Sequence, residues 1–287
     1  MNTTQFTDTV ISFPIFGENF KLCPPRSVNV FGLELYFYGI IIAFGFILAV
    51  AYVLHRAKDM NLTEDNVLDM LFITVPVAII GARAYYVIFN FEAYKADTFL
   101  EMLKKMVNIR NGGLAIYGAV IAAVITVTLF CKRRKIAVGD MLDVGAFGLL
   151  IGQCVGRWGN FINREAFGAE TSVPWKMGLT YLNGRTIYVH PTFFYESLWN
   201  FIGFLIISAY SKKHRKFSGQ IFALYAVWYG IGRFFIEWLR VNTDSLLLIN
   251  TPDFKLPISV CVAAASAIAG AVFLAVKSKK TKTDAIN

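Results

Sequence analysis

The chain has 287 residues, 56% of them hydrophobic and 16% charged, against about 25% charged in ordinary globular domains. Its formal charge of +9 invites a nucleic-acid reading, but the lysines and arginines gather in short stretches between apolar runs, which excludes that class. The runs are continuous rather than alternating, which excludes a β-barrel. They recur at roughly 20 residues, the length that crosses hydrocarbon. The expected fold is therefore an all-α polytopic membrane protein with about seven transmembrane helices.

Residues 1–35 form an extracytoplasmic N-terminal arm. They lack the basic start, compact apolar core and small-residue cleavage site of a signal peptide, and Pro14, Pro24 and Pro25 give them an irregular character. A membrane domain follows over 36–276, with predicted spans at 36–54, 67–90, 113–131, 139–158, 191–210, 219–240 and 257–276. The more polar fourth span leaves counts of six or eight open. Arg56 and Lys58 follow the first span, Lys132 to Lys135 the third, Lys212 to Lys216 the fifth, and Lys277 to Lys282 the seventh. All four clusters fall on one side, which makes that side cytoplasmic. The N-terminus is then outside, and a basic tail, 277–287, lies in the cytoplasm. The connections on the other face, 91–112, 159–190 and 241–256, are longer and more polar. The second is too long for a turn and predicts a small extracytoplasmic head. No internal repeat is evident, so an inverted-repeat transporter finds no support.

Cys23, Cys131, Cys154 and Cys261 show no paired spacing, and the three histidines lie far apart. Neither a metal nor an organic cofactor is expected.

Ionisable residues within spans are costly and mark function or a buried partner. Here Arg83, Arg157, Glu196, Arg233 and Glu237, with His190 just before the fifth span, lie toward the outer leaflet. Tyr229, Arg233, Glu237 and Arg240 share one helical face, either as a site or as an ion pair that locks helices together. Arg157 alone would read as a snorkelling side chain. Asn160, Asn163 and Glu165 beside it add hydrogen-bonding groups that packing does not require. Gly148, Gly152 and Gly156 form a stripe suited to close helix packing. Gly159 and Gly168 suit a turn or a close ligand approach, and Asn111-Gly112-Gly113 either opens an anion-binding helix start or makes an ordinary turn. Tyr36, Tyr38 and Tyr117 read as interfacial aromatics unless a cleft draws them in. Several arginines in one polar cleft point to a phosphate-bearing ligand, which in a membrane is a phospholipid headgroup.

The segment Gly156-Arg157-Trp158-Gly159-Asn160-Phe161-Ile162-Asn163-Arg164-Glu165-Ala166-Phe167-Gly168 resembles the signature of the bacterial prolipoprotein diacylglyceryl transferases at every fixed position. Tyr38-Gly39, His190-Pro191 with Tyr195-Glu196, and Tyr229-Gly230 with Arg233-Phe234 and Glu237 resemble three further blocks of that family, in family order. One position departs: Tyr117 stands where many members have histidine, and a neutral tyrosine is a weaker base at pH 7. Either Tyr117 only hydrogen-bonds, or another group supplies the base.

The resemblance implies transfer of a diacylglyceryl group from phosphatidylglycerol to the lipobox cysteine of a prolipoprotein signal peptide, in a bacterial cytoplasmic membrane, with the active site on the extracytoplasmic side. It implies catalytic roles for Arg157, Arg233, Glu237 and Tyr117. It implies substrate contacts for Tyr38, Arg83, Asn160, Asn163, Glu165, Gly168, His190, Glu196 and Tyr229. A lipid flippase or an anion transporter is the competing class; it would need access from both faces, whereas the unusual residues lie toward one.

Overall fold

The computed structural model describes residues 9–109, 112–240, 247–251 and 255–284. Asn111, the first eight residues of the arm, 241–246 and 252–254 of the last outer connection, and the end of the tail lie outside the described residues. In chain order the elements are β1 (Val10–Ser12), β2 (Lys21–Leu22), β3 (Ser27–Val30), β4 (Leu33–Tyr36), α1 (Phe37–Ala57), α2 (Glu64–Phe89), α3 (Phe99–Val107), α4 (Ile116–Arg134), α5 (Val138–Asn163), β5 (Met177–Thr180), β6 (Thr186–Val189), α6 (Thr192–His214), α7 (Gln220–Trp238), β7 (Leu247–Asn250), β8 (Lys255–Pro257) and α8 (Ile258–Asp284).

Six of these helices are long and apolar enough to cross a membrane: α1, α2, α4, α5, α6 and α8. The chain is a helical membrane protein. The predicted sixth span, α7, is not among the six, because Gln220, Tyr229, Arg233 and Glu237 interrupt its apolar residues. It needs little lipid contact, since it packs along both α6 and α8. Gly230 and Gly270 bring α7 and α8 close; a Cβ at Gly230 would lie 2.6 Å from the Ala263 carbonyl oxygen, and one at Gly270 2.8 Å from that of Ala223.

The chain divides into two compact units. Residues 54–142 form one, in which α2 packs along α4. A capping box starts α2: Thr63 Oγ1 accepts from the Asn66 amide at 3.1 Å, and the Thr63 amide donates to Asn66 Oδ1 at 3.3 Å. That reciprocal pair satisfies two amides at the helix start that lack intrahelical partners. Gly81 and Gly118 meet backbone to backbone, which is how small residues let membrane helices approach. The connection between α2 and α4 contains the short amphipathic helix α3, an element absent from the sequence expectations.

Residues 1–53 and 143–287 form the other unit. Strands β1 and β2, before α1, and β5 and β6, between α5 and α6, form a four-stranded antiparallel sheet in the order β2-β1-β5-β6, with Ile11 paired to Leu179 and Leu179 to Ile187. Residues that the sequence presents as an irregular arm thus complete the sheet of the head. Three residues of β1 are too few to show period-two alternation. Ile11, Met177, Leu179, Val189 and Phe193 make its core, with Phe161 and Phe167 against it. Because Phe161 closes α5 and Phe193 opens α6, this core fixes those two helix ends to the sheet.

Lower in the same unit, α6 and α7 are joined by a reciprocal tryptophan clasp. Trp199 Nε1 donates to the Trp228 carbonyl at 2.9 Å, and Trp228 Nε1 donates to the Trp199 carbonyl at 3.0 Å. The rings stack with centroids 4.4 Å apart. Each indole lies over the glycine four residues beyond the opposite tryptophan, Gly203 or Gly232. A methyl group there would collide with the ring. Gly232→Ala is expected to destabilise the protein by about 1–3 kcal/mol through overpacking, read as a lowered thermal midpoint in detergent; an unchanged midpoint would show that the clasp yields without cost.

Candidate functional site

The signature segment is more helical than expected. α5 runs to Asn163, five residues beyond the predicted end at 158. Gly159 lies within the helix against the Tyr38 ring, which occupies the place of a side chain: a Cβ there would lie 2.7 Å from Tyr38 Cδ2. Arg157 and Asn160 are consequently one turn apart on a helix, and Arg157 Nη1 donates to Asn160 Oδ1 at 3.3 Å. Asn160 Nδ2 and Asn163 Nδ2 both donate to Glu165 Oε1, at 2.9 and 3.2 Å. Tyr38 lies within the electrostatic reach of both Glu165 and Arg157.

After α5 the chain turns sharply, with Arg164 at φ +53° and Ala166 at φ +56°. Non-glycine residues adopt this left-handed region uncommonly, and surrounding contacts can hold them there. Those contacts are present. Buried Arg164 donates from Nε to the Thr9 carbonyl at 3.1 Å and from Nη1 to the Ile162 carbonyl at 2.7 Å, and Thr192 Oγ1 donates to the Ala166 carbonyl at 2.6 Å. Gly168 is then threaded between segments. A Cβ on it would lie 2.7 Å from His190 Cβ and 3.0 Å from the Leu239 carbonyl oxygen. Its glycine identity answers that close approach.

Around this turn the ionisable residues assemble. Glu196, on the first turns of α6, is 4% exposed and bonds two arginines. Arg157 from α5 forms an ion pair with its Oε2, and Arg233 from α7 meets its Oε1 at 2.8 Å. Arg233 also bonds Glu237 Oε2 at 2.8 Å, and Arg240 approaches the same oxygen at 3.3 Å. Among the described residues these ion pairs bring three guanidinium groups together around two carboxylates. Arg157 is the most open member of the cluster at 21% exposed. Tyr229 stacks on Tyr225 and lies in the field of Arg233, Glu196, Arg157 and Glu237.

His190 belongs to a different contact. Its Nδ1 lies 3.3 Å from Tyr195 Oη, which accepts from Trp175 Nε1 at 2.7 Å. Burial lowers the pKa of His190, which favours the neutral ring.

Arg83 and Tyr117 lie in the 54–142 unit. Arg83 Nε donates to the Met106 carbonyl at 2.7 Å. Its Nη1 serves the Gly112 and Gly113 carbonyls, both at 2.9 Å, and its Nη2 those of Lys105 and Asn108 at 2.9 and 2.8 Å. A guanidinium has five N–H donors, so the set is fully used on the backbone of the connection that contains α3. Tyr117 sits at the start of α4, 37% exposed.

Two arginines near the site escaped the sequence reading. Arg26 donates to the Asn163 carbonyl at 2.8 Å, and Arg164 occupies a variable place in the signature. A loop arginine looks solvated in sequence, and no spacing reveals a backbone carbonyl as its partner. Among the described residues, no group of three His, Cys, Asp or Glu side chains is placed to hold a metal ion.

A family model described as prolipoprotein diacylglyceryl transferase matches residues 25–276 of the chain. The chain is 44% identical over 254 residues to the phosphatidylglycerol--prolipoprotein diacylglyceryl transferase of Finegoldia magna, covering 88% of this chain and 95% of that protein. It is 42% identical over 231 residues to the proteins of the same name from Bacillus cereus and Bacillus anthracis, covering 77% of this chain and 82% of each.

Proposed function

The chain belongs to the prolipoprotein diacylglyceryl transferase family, and on that premise we propose that it transfers the diacylglyceryl group of phosphatidylglycerol to the lipobox cysteine of prolipoprotein signal peptides. The cysteine sulfur bonds to the glyceryl carbon, the carbon–oxygen bond to phosphate breaks, and the departing oxygen keeps the electron pair as glycerol phosphate leaves. The thiol proton passes to the departing phosphate or to water, which balances the step. α7, sixth in chain order, brings the spans to seven, the arginine cluster opens to the extracytoplasmic face of the bacterial cytoplasmic membrane, and the basic tail lies inside.

The observation that carries this reading is the half-buried pair Arg157 and Arg233, held on one carboxylate, Glu196, among apolar helices. A phosphodiester carries one negative charge, and Arg157 and Arg233, which share a single carboxylate, offer it two guanidinium groups. Arg157 and Arg233 hold the phosphate and stabilise the charge that collects on the leaving oxygen, an effect that grows where water is excluded. The same field favours the thiolate, which is the reactive form of a thiol whose ordinary pKa is near 8.5. Asn160, Asn163 and Glu165 position Arg157 and offer hydrogen bonds to headgroup hydroxyls. Tyr38 covers Gly159 and contacts the headgroup.

Purified protein incubated with phosphatidylglycerol and a lipobox peptide is expected to raise the peptide mass by one diacylglyceryl group. The increase should vanish when the peptide cysteine is serine. Arg157→Ala and Arg233→Ala are each expected to cut the rate about 100- to 1,000-fold, the scale set by removing one charge-stabilising donor. Normal turnover in either variant removes that residue from its role. Absence of the mass increase, in wild-type protein that still binds phosphatidylglycerol, overturns the proposal in favour of lipid binding or transport.

A further inference from the structure

The hairpin of β3 and β4 stands apart from the four-stranded sheet and pairs only with itself among the described residues. Its register places Val28 opposite Leu35 and Val30 opposite Leu33, while Ser27 faces Tyr36 and Asn29 faces Glu34. Opposed pairs share a face and alternate along the strands, so one face is wholly apolar and the other polar. The polar face is internally bonded: Ser27 Oγ donates to Glu34 Oε1 at 2.6 Å, Tyr36 Oη to Glu34 Oε2 at 3.2 Å, and the Gly32 amide to Asn29 Oδ1 at 3.0 Å. The apolar face is bare. Val28, Val30, Leu33 and Leu35 are all exposed, and Phe31 at the tip is fully so.

Phe31 also adopts φ +52°, followed by Gly32 at φ +84°. Asn-Gly or Asp-Gly normally fills such a two-residue turn, and a bulky residue in the left-handed region is a rare choice. An isolated two-stranded hairpin is at best marginally stable in water. Here its base is closed by the Phe37 amide, which donates to the Arg26 carbonyl at 2.8 Å. The hairpin enters the first membrane-spanning helix without a linker. Exposed apolar side chains continue on that helix at Ile40, Phe44 and Ile47.

We infer that this hairpin is a lipid-inserted wedge: the face of Val28, Val30, Leu33 and Leu35 and the tip Phe31 lie among the acyl chains and headgroups of the leaflet beside the start of α1, with the Asn29 and Glu34 face toward water. The occupant is lipid rather than a peptide, because the surface is a ribbon with a projecting tip, free of charge on its apolar face and continuous with a surface that lipid already covers. Through Arg26, whose guanidinium holds the Asn163 carbonyl, the wedge is tied to the end of α5. The insertion itself does not depend on the reaction proposed above.

The test uses full-length protein in phosphatidylcholine nanodiscs, with Cys23→Ser removing the exposed native thiol. Bimane is placed by Phe31→Cys, by Leu33→Cys and, on the opposite face, by Asn29→Cys. Lipids brominated on the acyl chain are expected to quench the labels at 31 and 33 at least twofold, with blue-shifted emission. Aqueous iodide should quench the label at 29 and spare the other two. Iodide quenching at 31 and 33 without bromolipid quenching overturns the inference. So does equal behaviour of all three labels, which denies a sided hairpin. Shielding at 31 and 33 that appears only on adding lipobox peptide also overturns it and assigns the face to that peptide.

Discussion

Glu196→Ala is expected to reduce turnover by at least about 100-fold and to destabilise the protein by about 3–5 kcal/mol, the usual cost of removing one partner from a buried ion pair. Glu196 is the only carboxylate that meets both Arg157 and Arg233 within ion-pairing distance among the described residues. Without it, Arg157 loses its ion pair and keeps the single bond to Asn160. Arg233 keeps Glu237, which it shares with Arg240. The two guanidinium groups then repel each other with no charge between them, and the geometry that would receive one phosphate oxygen from each side is lost. Glu196→Gln preserves the shape but not the charge, so its stability loss should be smaller while turnover still falls. Peptide mass spectrometry gives the rate, and thermal unfolding in detergent gives the stability. Full activity in Glu196→Ala would show that the arginines need no common counter-ion.

Arg83→Lys is expected to loosen the connection between α2 and α4 and to cost about 3 kcal/mol or more. A lysine ammonium has three donors on one nitrogen and cannot span five carbonyls. A hydrogen bond to a charged donor contributes about 1.5–3 kcal/mol, so losing two or more of these part-buried bonds reaches that figure, though such losses are not additive. Hydrogen exchange at Lys105, Met106 and Asn108 should accelerate, and limited proteolysis should cut within 95–109. A different result is equally readable. If exchange and proteolysis match the wild type while the apparent affinity for phosphatidylglycerol falls, Arg83 serves the substrate contact that the family resemblance implies.

The helices were legible because hydrocarbon demands about 20 apolar residues in series, and six spans answer that demand directly. The ion cluster was legible because charge in such a series is rare: Arg157, Glu196, Arg233 and Glu237 stand out in sequence and meet in space. What stayed hidden rests on partners that leave no pattern. Arg83 and Arg164 bond backbone carbonyls, which every residue offers equally. β1 joins β5 across more than 160 residues of chain, with only Val10, Ile11 and Ser12 to signal it. Gly159 read as a turn or a close ligand approach, and the neighbour that demands glycine there is the Tyr38 ring, which no spacing in the sequence reveals.

The tryptophan clasp has a consequence for motion. Both of its hydrogen bonds run between the same two residues in opposite directions. Sliding α6 along α7 by a single residue, a rise of about 1.5 Å, therefore strains both bonds at once and drives each ring off its glycine. Tilting the helices apart unstacks the rings in the same step. α6 and α7 move as one rigid pair, and Glu196 travels with Arg233. A motion within this unit that changes access to Arg157 is then expected in elements other than this pair, with the pair as the fixed side.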